Sequence, residues 1–200
     1  MTSRPSLAGL NWSKIRLLAQ QLAASEAAEA LLSAVEEDLS SQQVSDRLYA
    51  VYLLGFTIGR HPEHLDLLRR RVVPDPSWEV QEALAQAFDE YCAATGYEAA
   101  LPVIDAWLAD EHHNARRAVS EGLRPWTSKR RAYFASHPEE AIRRLAALRA
   151  DPSDYVRHSA GNALRDIRRT HAALVDAETV TWNRADPLEQ FTYQRVLKAR

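Results

Sequence analysis

The chain has 200 residues, 46% of them hydrophobic and 26% charged, which is typical of a folded globular protein and excludes a disordered one. Its formal net charge of −2 excludes a uniformly basic chain. No stretch approaches the roughly 18 apolar residues of a membrane-spanning helix, and the first residues lack a secretion-signal pattern. The single cysteine, Cys92, allows neither an intramolecular disulfide nor a multi-cysteine metal site, and we expect it to be buried. We therefore expect a cytoplasmic protein with no membrane partner.

The charges are unevenly divided along the chain. Residues 1–110 hold 8 Lys and Arg against 16 Asp and Glu, a formal charge of −8, whereas residues 111–200 hold 17 against 11, a formal charge of +6. Such asymmetry favours a polyanionic partner for the basic half. Solvated helix faces would give the same counts, so charge alone leaves both interpretations open.

Apolar residues recur at helical spacing along nearly the whole chain. The pattern predicts N-terminal cap helices over about 10–40, then a helical pair over 44–60 and 63–72. Gly55 and Gly59 in LLGFTIGR fit no phosphate loop and favour close helix packing. The pattern breaks where prolines stand, namely at Pro62, Pro74, Pro76, Pro102, Pro125, Pro138, Pro152 and Pro187. Because proline belongs at the first turn of a helix or in a connection, this predicts many short helices.

Three segments superimpose on one another: Asp75–Ala85, Asp110–Ser120 and Asp151–Gly161. In each, an Asp or Ser can cap a helix, an apolar residue packs inward, and a small residue lets helices approach. Their spacings of 35 and 41 residues and the pattern D-P-x-x-x-V-R-x-x-A resemble the HEAT repeat. We predict an all-α fold of HEAT-like helical-pair repeats over 44–171, forming a curved α-solenoid (an α-α superhelix). A C-terminal cap would follow over 172–200, and 1–200 would be a single domain.

The residue after the inward apolar position is Gln81, Arg116 or Arg157 in the three repeats. Equivalent positions should stack as a ladder on the concave side, which the second helices of the pairs line. The planar guanidinium of Arg suits phosphate, but in HEAT repeats this position also binds the adjacent repeat. Both roles stay open. Further cations in the same half are Arg117, Arg124, Lys129, Arg130, Arg131, Arg165, Arg168 and Arg169.

Two runs of sequence carry a resemblance to a known family. Residues 114–126, NARRAVSEGLRPW, are similar to the RR-x-x-SEG-x-RP stretch of the DNA alkylation repair proteins, and residues 154–167, DYVRHSAGNALRDI, resemble the following repeat. These proteins are HEAT-like DNA glycosylases of the AlkC/AlkD type, and the AlkC branch is the closer match in these runs. The resemblance is specific over about 114–171 and general over 44–110.

The resemblance implies hydrolysis of the N-glycosidic bond of cationic N3- and N7-alkylated purines in duplex DNA, without a metal or other cofactor. A positively charged base is already a good leaving group. The protein must therefore supply anionic stabilisation of an oxocarbenium-like sugar, a positioned water, and an aromatic surface for the cation.

The same resemblance selects the site residues. Glu121, in the SEG motif, is the first candidate for the catalytic carboxylate, and Trp126 is the matching aromatic. Trp78 and Glu82, four residues apart on one helix face, are similar to the W-x-x-x-D arrangement of the AlkD branch, with Glu in place of Asp. They are the second choice. The cations that would contact DNA are Arg116, Arg117, Arg124, Lys129, Arg130, Arg157 and Arg165.

Structural roles are open for the same residues. Glu121 stands four residues after Arg117 and three before Arg124, which is the spacing of helical ion pairs. Trp126 could fill the core between repeats, and Asp154 favours a helix cap.

Histidines give no metal site from their spacing. His112 and His113 are adjacent on a helix and point in different directions, with no partner cysteines or HEXXH pattern. The others, which we expect to be scattered and solvated, are His61, His64, His137, His158 and His171.

Three functions remain: a glycosylase, a non-catalytic DNA-binding relative, and a scaffold for a protein partner. Fold alone does not choose among them. The glycosylase predicts that Glu121 lies on the concave face beside a Trp, with Arg residues flanking it. The DNA-binding relative buries or pairs that carboxylate, and the scaffold predicts an apolar or acidic face.

Overall fold

The computed structural model describes residues 6–25, 28–124 and 136–198. These residues form helices and no strand, so the all-α prediction is confirmed. None of these helices is both long and apolar enough to cross a membrane. The α-helices are α1 Trp12–Ala23, α2 Ala28–Leu32, α3 Val35–Leu39, α4 Val44–Thr57, α5 His64–Leu67, α6 Trp78–Thr95, α7 Tyr97–Leu108, α8 His113–Gly122, α9 Pro138–Ala147, α10 Asp154–Arg168, α11 Ala172–Thr179 and α12 Pro187–Leu197. A π-helical turn, Leu68–Val72, continues α5.

The helices pack into two compact units, Met1–Thr95 and Gly96–Arg200. In the first unit α4 packs against α1, α3 and α6, and in the second α10 packs against α8, α9, α11 and α12. Every residue from Leu48 to Gly55 of α4 is buried, as expected for a helix enclosed on all sides. The single-domain organisation over 1–200 stays a prediction.

The three superimposed segments each lead into the second helix of a pair. In each, an aspartate Oδ1 accepts a hydrogen bond from the backbone N–H two residues later, at 2.8 Å in Asp75 and Asp110 and 2.9 Å in Asp151. Helices α6, α8 and α10 begin three residues after these aspartates. The aspartate thus closes the turn before the helix and is not its N-cap.

The proline prediction is confirmed at Pro138 and Pro187, which occupy the first turns of α9 and α12. It is wrong at Pro102, which lies inside α7. Pro102 is exposed, so its ring meets no neighbouring helix, and a single backbone hydrogen bond is lost. Residues 172–197 are more regular than predicted, since they form the helical pair α11–α12.

Glycine sets the closest approach of helices in both units. A Cβ on Gly55 of α4 would lie 2.9 Å from the Cα and Cβ of Ala87 in α6. One on Gly161 of α10 would lie 2.6 Å from the Cβ of Arg195 in α12 and 3.0 Å from the Thr192 carbonyl. A larger side chain at either position would push the packed helices apart.

We expect Gly161→Ala to lower the free energy of unfolding by about 1–3 kcal/mol, because α10 and α12 must separate to admit the methyl group. Urea denaturation measures this effect. Gly122→Ala is the matched control, since a Cβ there meets nothing within 4 Å and should leave stability unchanged or slightly raised. A stability of Gly161→Ala equal to that of the wild type would contradict the close packing.

Candidate active site

The polar position after each inward apolar residue makes one repeated contact. Gln81 and Arg116 each donate a hydrogen bond, at 2.8 Å, to the backbone carbonyl of the aspartate six residues earlier. Arg157 donates to the carbonyl of Asp151 in the same way. These side chains therefore brace the turn that starts their own helix.

Arginine at this position also binds the next repeat. The Arg116 guanidinium donates to both carboxylate oxygens of Asp151, at 2.6 and 2.8 Å, and this hydrogen bond is the main cause of the raised pKa of Arg116. Arg47 of α4 repeats the arrangement, with hydrogen bonds to the Ser41 carbonyl and the Asp75 carboxylate. The Asp151 side chain is only 4% exposed. Because the guanidinium already binds the Asp151 carboxylate and two backbone carbonyls, this geometry does not favour Arg116 as a phosphate contact.

Arg116→Ala should lower the free energy of unfolding by about 2 kcal/mol, because it leaves the buried Asp151 carboxylate without its charged donor. DNA affinity, measured by fluorescence anisotropy at fixed salt, should be unchanged under conditions where the variant is folded. A variant of wild-type stability that binds DNA more weakly would instead assign Arg116 to phosphate.

Glu121 lies in a buried ion-pair network between α8 and α10 and is 6% exposed. Its Oε2 accepts a hydrogen bond from Arg124 at 2.8 Å, and its Oε1 accepts one from the Ser159 hydroxyl at 2.7 Å. The Arg117 guanidinium is 3.7 Å from Oε1. Arg124 also binds Asp166 at 2.9 Å. Both ion pairs expected from the helical spacing are thus present.

The other predicted cations also face protein groups. The guanidinium of Arg117 lies over the Tyr155 ring at 4.5 Å, that of Arg157 lies over Phe191 at 5.1 Å, and Arg165 is 3.7 Å from Asp166. Arg117 and Arg157 are buried, and Arg165 is partly buried. The predicted residues Trp126, Lys129 and Arg130 lie outside the described part of the chain.

Trp78 does lie on an accessible surface. It begins α6 and is 58% exposed, and its ring meets that of Trp12, which begins α1 and is 36% exposed. The ring centroids are 4.8 Å apart in an edge-to-face arrangement. Two exposed indoles in contact form an apolar surface that the fold does not bury, which is a mark of a binding site. We call this surface, together with Glu82, the Trp12–Trp78 face.

Glu82 follows Trp78 by one helical turn and is partly buried. Its charge is one of the causes that raise the pKa of Tyr52 in α4, although burial of the phenol is the larger cause. Tyr52 therefore stays protonated. Glu121, by its own contacts, is enclosed by two guanidinium groups and a hydroxyl.

A small pocket opens beside this face between α1, α4 and α6. Arg16, one turn after Trp12, donates a hydrogen bond to the Gln86 amide oxygen at 3.0 Å and lies over the Phe56 ring at 5.0 Å. The Arg16 guanidinium also lies 3.9 Å from the Glu90 carboxylate of α6. The pocket is lined by Arg16, Tyr52, Gly55, Phe56, Gln86, Ala87 and Glu90.

Sequence reasoning missed Trp12. It stands 66 residues before Trp78, and its own surroundings, LNWSK, match none of the repeats. Only the packing of α1 on α4, and of α4 on α6, brings the two rings together.

Fold and repeat contacts together define a HEAT-like helical-repeat protein. The chain matches the DNA alkylation repair enzyme family over residues 1–177 and belongs to that family. DNA is accordingly its implied partner. The family prediction and the predicted HEAT-like repeats are both confirmed.

The chain is similar to two solved structures from Streptococcus mutans. AlkD2 aligns with a TM-score of 0.88 and 39% identity, covering 96% of this chain and 91% of AlkD2. The structure of smu.31 from strain UA159 aligns with a TM-score of 0.86 and 39% identity, covering 93% of this chain and 91% of that one. The name AlkD2 refers to the AlkD branch, whereas the sequence runs 114–126 and 154–167 are more similar to the AlkC branch.

A curated relative is the uncharacterized protein YhaZ of Bacillus subtilis. It is 33% identical over 100 residues, which make up 46% of this chain and 28% of YhaZ. The match therefore spans less than a third of that protein.

Proposed function

We propose that this chain binds duplex DNA and releases cationic N3- or N7-alkylated purines by hydrolysing the N-glycosidic bond at the Trp12–Trp78 face. The observation that supports this is an exposed pair of indole rings with a carboxylate one helical turn away. Family membership supports DNA as the partner and alkylation damage as the context.

The indole rings of Trp12 and Trp78 would bind a positively charged purine in preference to a neutral one. The face of an indole ring is electron-rich, and contact with a cation contributes about 2 kcal/mol when water is excluded. A neutral purine would gain only the apolar contact. The Trp12–Trp78 face would therefore distinguish an alkylated, positively charged purine from an unmodified one without reading the DNA sequence.

Glu82 is the carboxylate best placed for the chemistry. As the bond to the cationic base breaks, positive charge develops on the sugar, and a fixed carboxylate stabilises that charge. The same group can orient the attacking water. Glu121 is less suited, because Arg124 and Ser159 already occupy its oxygens in a buried network.

DNA binding also needs contacts to phosphate. Lys129 and Arg130 remain candidates, since the arginines of the described part of α8 and α10 bind protein groups. DNA affinity should fall steeply as salt rises, because such contacts release counterions. As a DNA-binding protein it would work in the compartment that holds the DNA, and we propose that this is the cytoplasm.

A non-catalytic DNA-binding role is the second candidate. The pairing and burial of Glu121 is the arrangement that this interpretation predicts. In that case the Trp12–Trp78 face would bind distorted or alkylated DNA without cleaving the glycosidic bond.

The test is release of free base from duplex DNA treated with a methylating agent, at enzyme excess, with untreated duplex as control. We expect release by the wild type and at least a tenfold slower release by Trp78→Ala. The Trp78 side chain is mostly exposed, so its removal should not unfold the protein. Leu17→Ala is the matched control, because it also removes an exposed apolar side chain, this one from α1. It should release base at the wild-type rate. Salt-sensitive binding without release would select the second candidate, and no binding would favour a protein scaffold.

A further inference from the structure

A cluster of histidine and glutamate side chains lies where α4 turns into α5. The rings of His61 and His64 stack with their centroids 4.9 Å apart, and the carboxylate of Glu63 is 3.2 Å from His61 Nδ1. Glu29 of α2 approaches the other nitrogen of His61, Nε2, at 3.1 Å. The expectation that these histidines are scattered and solvated is wrong, since His64 is only 8% exposed and its ring is fixed by neighbours.

We propose that His61, Glu63 and His64 bind a Zn²⁺ ion. Each residue offers one ligand atom, and these atoms lie within 4.8 Å of one another. Two imidazoles and one carboxylate are a ligand set that zinc takes in proteins, with a water in the fourth position. The site is separate from the residues of the Trp12–Trp78 face and does not depend on the proposed glycosylase function.

The surroundings of His64 leave a lone pair available. The Thr57 hydroxyl lies 2.8 Å from the Leu53 carbonyl and 3.1 Å from His64 Nδ1, so when it donates to Leu53 it accepts from Nδ1–H. In that tautomer Nδ1 carries the hydrogen, and the lone pair of the neutral ring on Nε2 would bind the metal. A hydrogen bond that fixes the second ring nitrogen is the usual partner of a metal-binding histidine.

His61 has the complementary arrangement. Its Nε2 faces Glu29, which can only accept a hydrogen bond when ionised, and its Nδ1 faces Glu63. With Nε2–H donated to Glu29, Nδ1 would bind the ion beside the Glu63 carboxylate. This is a carboxylate–histidine–metal arrangement, in which the outer carboxylate orients the ring. Glu29 is thus a positioning residue.

Small side-chain movements would complete the coordination. Zinc ligands stand about 2.0–2.2 Å from the ion, so the ligand atoms must come closer together than they are. The Glu63 side chain is 68% exposed, so it has room to rotate toward the ion. An ion held there would join the α4–α5 turn to α2 through Glu29 and would stabilise the first unit.

The experiment measures Zn²⁺ binding by competition with a chromophoric chelator, using the full chain after removal of any affinity tag. We expect one ion per chain, and at least a hundredfold weaker binding in His61→Ala and Glu63→Gln. Glu29→Gln should weaken binding about tenfold, as for outer-shell carboxylates. His113→Ala is the matched control and should leave affinity unchanged. The rings of His112 and His113 also stack, at 4.7 Å, so the expectation that they point in different directions is wrong.

A second readout keeps the test independent of folding defects in the variants. Zn²⁺ should raise the midpoint of thermal unfolding of the wild type in a concentration-dependent way and leave that of Glu63→Gln unchanged. Mg²⁺ should do neither, because imidazole ligands favour zinc over magnesium. Absence of binding by the wild type, or equal binding by Glu63→Gln, would overturn the proposal.

Discussion

Glu121→Ala should lower the free energy of unfolding by about 3 kcal/mol, a large part of the stability of a small protein. The carboxylate accepts hydrogen bonds from Arg124 and Ser159 between α8 and α10, where water cannot replace it. Its removal takes one ionised acceptor from the partly buried Arg124 and the acceptor of the Ser159 hydroxyl. Urea denaturation followed by circular dichroism measures the loss.

Glu139→Ala is the control for this variant. Glu139 is an exposed glutamate in the first turn of α9, so its removal should change stability by about 0.5 kcal/mol or less. A Glu121→Ala protein of wild-type stability that has lost base release would contradict the structural role. Glu121 would then be the catalytic carboxylate that its position in the SEG motif predicts.

Glu82→Gln should reduce base release by about 10²–10³-fold, the usual effect of removing one group that stabilises charge in a transition state. The substitution keeps the shape of the side chain and removes its negative charge. Affinity for alkylated DNA should stay within threefold of wild type, because the Trp12–Trp78 contact remains. Single-turnover release at enzyme excess separates these two effects.

Glu82→Asp is the conservative variant, and it should recover part of the rate because it restores the charge one methylene further from the substrate. Glu79→Gln, at the preceding turn of α6, is the matched control and should release base at the wild-type rate. Equal rates for Glu82→Gln and wild type would remove Glu82 from the mechanism.

Much of the fold could be predicted from the chain because its signals are local. The Asp75, Asp110 and Asp151 segments share one pattern, and each leads into a second helix. The helix break predicted at Pro102 was wrong, because the sequence does not show that the proline ring would face solvent on α7. The pair α11–α12 was missed because it lacks the repeat pattern, although Asp186 caps α12 by accepting from two backbone N–H groups.

The site was harder to predict because it depends on which side chains face each other. Arg116 and an exposed phosphate-binding arginine look alike in sequence, and only the position of Asp151, 35 residues later, distinguishes them. The same holds for Glu121, whose third partner, Ser159, is 38 residues away. Trp78 could be selected from its spacing to Glu82, but its contact with Trp12 could not.

The SEG motif, which carries the family resemblance, has a structural role in this protein. The Ser120 and Glu121 side chains of SEG both meet Ser159 in the next repeat, at 2.7 Å each. With Arg124 and Asp166, they tie α8 to α10 across a buried surface. Loss of this network would loosen the repeat stack and would reduce any activity indirectly.

The measurement that tests the account most directly is base release from methylated duplex DNA by wild type, Glu82→Gln and Glu121→Gln, compared at a temperature where all three are folded. The account predicts release by wild type, a loss of at least a hundredfold in Glu82→Gln, and a rate within a few fold of wild type for Glu121→Gln. Full activity of Glu82→Gln together with loss in Glu121→Gln would contradict it and would place the chemistry at the α8–α10 network.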